Sequence, residues 1–147
     1  MAVNPTAFYD ASATNESTRG SKVYKDFNMS FARHPVTGDI ATLTDAEAVK
    51  RSVRNLVNTN FGERPFHPEI GSDVRAILFE PVSPLVADVL KRYVEDVINN
   101  FEPRAELIAV KANPNIDSNA YEVTVEFYLV NSPSGLQTVN LFLERLR

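Results

Sequence analysis

Apolar positions along the chain change period several times, and each change marks an element. Phe27, Met29 and Phe31 alternate with polar residues, which predicts a short half-buried strand over 25–31. Arg33-His34-Pro35 and Thr37-Gly38-Asp39 end it, because Pro35 has no amide hydrogen to give to a ladder. Ala46, Val49, Val53, Leu56 and Val57 then fall on one helical stripe, with Lys50, Arg51 and Arg54 on other faces. Thr44-Asp45-Ala46-Glu47 has the form of a capping box and sets the start of this helix, which should fray near Asn58–Asn60.

From Phe61 to Ser72 two prolines and two glycines predict a loop, followed by a helical turn over 74–79 that Pro81 ends. Ser83-Pro84 starts a second helix, a capping hydroxyl followed by proline at the first helical position. Leu85, Val86, Val89, Leu90, Tyr93, Val94, Val97 and Ile98 carry its apolar stripe. Past Glu102-Pro103-Arg104 the period becomes two. Leu107–Val110 forms one strand, Tyr121, Val123, Val125, Phe127 and Leu129 a second, and Val139, Leu141 and Leu143 a third. Turns are expected at Asn113-Pro114-Asn115 with Asp117-Ser118-Asn119, and at Ser132-Pro133-Ser134-Gly135. The fold class is α+β: a short N-terminal strand and two main helices packed on an antiparallel β-meander. Residues 11–25, rich in Ser, Thr, Asn and Gly, show neither period, which divides the chain into an extended N-terminal arm over 1–25 and a single domain over 26–147.

Length changes this picture little: 147 residues suit one core. No apolar run approaches a membrane span, and the N-terminus lacks the pattern of a secretory signal. The absence of cysteine excludes disulfides and thiolate chemistry, consistent with assembly in a reducing cytoplasm. A net charge of −4 without a Lys/Arg stripe makes nucleic acid a poor partner.

Candidate chemistry is sparse. His34 and His67 both neighbour proline in loops, in no metal-binding spacing, so no metal or other cofactor is expected. Ser72 and Ser83 lie outside any nucleophile elbow, and Ser83 is better explained as a cap. Glu63, Glu69, Asp73 and Glu80 cluster around the central loop, the one arrangement that could supply the carboxyl pair of a glycosidase. Nothing in the sequence points to the raised pKa that a general acid requires, so no catalytic residue is assigned. Glu102-Pro103-Arg104 admits two readings: solvated charges at a helix end, or a rigidly held pair offered to a partner, where arginine's planar fork would meet carboxylates or carbonyls.

Four segments in order carry a resemblance: Asp39-Ile40 leading into Ala46–Leu56, then Gly62-Glu63-Arg64-Pro65-Phe66, then Leu78-Phe79-Glu80-Pro81, then Glu102-Pro103-Arg104. Over about residues 26–130 the chain resembles the lysozyme-like, sheath-initiator family of contractile-tail baseplate wedge proteins, relatives of a type VI secretion baseplate component. The resemblance implies a structural virion protein of the tail baseplate. It implies that Glu102, Pro103 and Arg104 engage the core bundle of the larger wedge subunits. It also implies that a strand edge of the meander receives the tail sheath protein by strand addition. The candidate strands are those of Val123, Val125, Phe127 and Leu129 and of Val139, Leu141 and Leu143. Gly62, Glu63, Arg64, Pro65 and Phe66 are expected to form a structural loop, and the arm to reach the tail tube or other baseplate subunits. The family's other label implies an alternative, a peptidoglycan-degrading enzyme of the tail.

Overall fold

The structure, a computed structural model, describes residues 24–36, 38–130, 132 and 134–146. The arm lies outside the described residues except for Tyr24 and Lys25, which belong to the folded domain: Tyr24 packs against the core and Lys25 opens a strand. The elements are β1 (Lys25–Phe27), β2 (Thr42–Thr44), α1 (Asp45–Asn58), α2 (Val74–Ile77), α3 (Pro84–Phe101), β3 (Ala105–Asn115), β4 (Ala120–Leu129) and β5 (Gln137–Glu144). β1 and β2 pair antiparallel as a separate two-stranded sheet, and β3-β4-β5 form an antiparallel meander in chain order. The α+β class expected from the periods is the one observed.

The core lies between the helices and one face of the meander. Val49, Val53 and Val57 of α1 and Leu90, Val94 and Ile98 of α3 meet Val110, Val123, Val125, Phe127, Val139 and Leu141. On β4 from Tyr121 to Leu129 the odd positions are buried and the even ones more exposed, as a half-buried strand requires. Ser83 caps α3 by accepting from the Val86 amide at 3.3 Å, with Pro84 behind it. Leu85 departs from the expected stripe and is 75% exposed, since it lies in the first turn, outside the buried set of Ala87, Leu90, Val94, Val97 and Ile98.

Four expectations are corrected. The first strand has three residues, and Phe27, Met29 and Phe31 are 71%, 57% and 67% exposed. The alternation holds over β1 but the polar side is the inner one: Asp26 faces Arg104, and Phe31 at φ 51° takes the chain out of extended geometry. The capping box at Thr44 does not form, because Thr44 closes β2 and makes no side-chain cap bond. Asp45 takes φ 45°, donates its amide to the Tyr24 carbonyl at 2.8 Å and accepts the Tyr24 amide on Oδ1 at 3.1 Å. Asn113-Pro114-Asn115 is the end of β3 and not a turn; Pro114 is tolerated because β3 is an edge strand, and the reversal is confined to 116–119, where Asn119 has φ 54°. Finally, β4 is the central strand with partners on both sides, so Val123, Val125, Phe127 and Leu129 lie on no free edge.

Candidate partner-binding site

The α3–β3 junction gathers several polar contacts around Arg104. α3 ends when the Glu102 amide closes onto the Ile98 carbonyl at 2.9 Å, and Pro103 prevents a further turn. Glu102 is buried at 2% exposure, which removes the reading of it as a solvated end charge. Its Oε1 accepts Arg104 Nε at 2.7 Å and its Oε2 accepts Arg104 Nη2 at 3.0 Å, a two-pronged pairing within three residues. Arg104 Nη1 reaches across the chain to both oxygens of Asp26, at 3.2 and 3.1 Å. The guanidinium carbon lies 5.8 Å from the centre of the Tyr24 ring, within cation–π range. Tyr24 in turn donates its hydroxyl to the Val130 carbonyl at 2.7 Å, and the Val130 amide returns to the Arg104 carbonyl at 3.0 Å.

Electrostatics follow from this packing. Burial opposes ionisation of Glu102, but hydrogen bonds from Arg104 and Ser52 outweigh it and hold the carboxyl below its ordinary value. The hydrogen bonds that Arg104 donates to Glu102 raise its own pKa against the opposing effect of burial. The junction is therefore a fixed ion pair, with Arg104 left 25% exposed. Asp26, Tyr24 and Ser52, its other members, were not found by sequence reasoning; Asp26 stands 78 positions from Arg104, and no local period links them.

The 62–66 loop divides in two. Gly62 at φ 76° makes the turn and donates to the Pro68 carbonyl at 2.9 Å, while Glu63 Oε2 accepts the Asn60 amide and side chain at 2.8 and 3.2 Å. Arg64 and Pro65 line a groove shared with Asp26 and Ser52. Phe66, at φ 67°, is 97% exposed and buries almost no surface among the described residues. The loop is fastened at its far end, where the buried Ser72 hydroxyl donates to the Val57 carbonyl at 2.9 Å. A Cβ on Gly71 would stand 2.5 Å from the Asn60 backbone, so that approach demands glycine.

Of the central carboxylates, Glu69 pairs with His67 at 3.0 Å and its pKa is lowered, first by a backbone hydrogen bond and then by His67. Among the described residues no cluster of three or more His, Asp or Glu side chains is placed to hold a metal ion. No helix among the described residues is long and apolar enough to cross a membrane.

Residues 44–134 match the family model described as baseplate wedge protein gp25. The chain belongs to that family. Baseplate wedge protein gp25 of Enterobacteria phage T4 is 30% identical over 123 residues, covering 84% of this chain and 92% of the T4 protein. A chain of the anti-feeding prophage baseplate superposes with a TM-score of 0.65 at 25% identity, covering 76% of this chain and 90% of that one. A Geobacter sulfurreducens protein whose name calls it a tail lysozyme gives 0.58 at 23% identity, over 69% of this chain and 95% of its own, which is a likeness of fold. The chain is thus a structural baseplate wedge protein of a contractile tail. The family match spans α1 through β4 with the Glu102–Arg104 junction, and leaves β1, Asp26 and β5 outside.

Proposed function

We propose that this wedge protein joins the core bundle of the larger wedge subunits to the first ring of tail sheath, and that it starts sheath assembly by accepting a sheath strand on β5. The observation that carries the reading is the open meander: β5 runs eight residues and, among the described residues, has ladder partners only on β4. An unpaired backbone edge of this length is a template for β-augmentation. The other edge, β3, is less suited, with a register shift between Leu107 and Ala109 and a proline at 114. Of the candidate strands this leaves the one of Val139, Leu141 and Leu143, whose side chains stay in the core while the backbone pairs.

The wedge-facing group is Pro103 with the outer side of Arg104. A guanidinium has five N–H donors. Glu102 and Asp26 engage all three of its nitrogens, yet N–H groups remain for a partner's carboxylate or carbonyls. Glu102 acts through Arg104 as a positioning residue. The two interfaces sit at opposite edges of the sheet, since Arg104 precedes β3 and the sheath strand joins β5. Assembly occurs in the host cytoplasm, and further contacts to tail tube or other baseplate subunits come from the arm.

The role is non-catalytic. A glycosidase general acid needs a raised pKa, whereas hydrogen bonds hold Glu69 and Glu102 below the ordinary carboxylate value. The test is capture of separately purified wedge and sheath subunits by wild type and by Arg104→Ala, with circular dichroism to verify folding. The variant should lose wedge subunits at least tenfold and keep sheath. Undiminished wedge capture by a folded variant sinks the assignment of Arg104, and failure of wild type to bind either partner sinks the adaptor reading.

A further inference from the structure

A groove of about 620 Å³ lies between β1, α1 and the 62–70 loop. Its apolar lining comes from Phe27, Met29, Leu56, Pro65 and Ile70, of which Phe27 and Met29 are more than half exposed. Three cations, Lys25, Arg51 and Arg64, stand along it with no ion pair or side-chain hydrogen bond among the described residues. Its two carboxylates are already engaged: Asp26 by Arg104, and Glu63 by the Asn60 amide and side chain. The groove therefore presents three cations against two engaged carboxylates, an excess of positive charge around apolar surface on a chain whose net charge is −4.

We infer that this groove is a docking site for an acidic, amphipathic segment of another baseplate subunit, whose apolar side chains seat on Met29, Leu56 and Ile70 while its carboxylates meet Lys25, Arg51 and Arg64. Both halves of the lining select it. A phosphate polyanion would use the cations and leave the apolar surface wet, and a neutral apolar peptide would bury surface and leave the cations without ion-pair partners. Geometry links the groove to the junction, because the bond from Arg104 to Asp26 fixes β1 as one wall. The inference takes from the proposed function only that the neighbour is a baseplate subunit.

The experiment places a photo-cross-linking benzoyl-phenylalanine at Asn55, an exposed α1 position lining the groove, in assembled baseplates, and maps the cross-linked peptide by mass spectrometry. The expected product joins Asn55 to a net-negative segment of a different subunit that carries apolar residues. Its yield should fall at least tenfold in Lys25→Gln/Arg51→Gln/Arg64→Gln, which removes charge without building repulsion. Cross-links confined to this chain or to a basic segment, or a yield indifferent to the triple change, overturn the inference. Wedge capture by Arg104→Ala is read in parallel: its loss with cross-linking intact in wild type leaves both proposals standing. Undiminished capture with the expected cross-link removes the role of Arg104 alone, and capture dependent on Arg104 without the cross-link removes the groove alone.

Discussion

Arg104 would be a costly residue to leave half-buried without partners, and the chain surrounds it with two. Its ion pair with Glu102 is nearly dry on the carboxylate side, with 3% exposure there against 25% on the arginine. Removing one member of such a pair leaves the other desolvated, so loss of the charge at Glu102 costs more than the net worth of the pair. Glu102→Gln should destabilise the protein by about 2 kcal/mol, the scale of a charged hydrogen bond lost from a buried site. The acid dependence has a definite sign. The folded carboxyl titrates below its ordinary value of 4.5, so its contribution is complete above that value and is lost as pH falls through the lower, folded one. Urea unfolding of wild type and Glu102→Gln should therefore differ by a constant amount from about pH 6 to 8 and converge in the acid range. A gap that widened on acidification would mean that the ion pair has been assigned the wrong role.

At the scale of elements, the strands of the meander differ in what their backbones can do. β4 is hydrogen-bonded on both sides, while β5 gives one side to β4 and has no strand partner on the other among the described residues. In amide hydrogen exchange β4 should be protected throughout, and β5 should alternate between protected inward amides and fast outward ones. Adding sheath subunits should slow the fast set specifically, and uniform protection of β5 in the free protein would argue that its edge is already covered. That distinction between strands was not legible in the sequence. Val123–Leu129 and Val139–Leu143 both alternate cleanly, because alternation reports which face is buried and carries no information on order within a sheet. The N-terminal strand shows the same limit: Phe27, Met29 and Phe31 alternate, yet they face outward, and the buried contact is an ion pair made by Asp26. Helices were easier to read, because a stripe such as Leu90, Val94, Val97 and Ile98 is wide enough to define its own buried side. The cap at Thr44 failed for a non-local reason, namely that Tyr24 claims the backbone and carboxylate of Asp45.

At the scale of the whole molecule, one core supports both edges to which the proposed function assigns different tasks. The three residues 102–104 were legible as a motif, but their setting was not, since Tyr24 with Asp26, Ser52 and Val130 converge on them from three separate stretches of chain. All of these contacts depend on α1 and α3 seating on the same face of β3-β4-β5. Leu90 is fully buried where α3 joins that shared core. Leu90→Ala should cost about 2–5 kcal/mol, a lost side chain plus the cavity it leaves. Because the damage is to the common support, it should weaken wedge and sheath capture together as temperature approaches the lowered Tm. Arg104→Ala, in contrast, should remove wedge capture at a temperature where the fold is intact. Comparing the two variants by capture assay across a temperature series separates the models. If Leu90→Ala weakened one partner alone, the two edges would not share a single cooperative core, and the adaptor would have to be described as two independent binding elements.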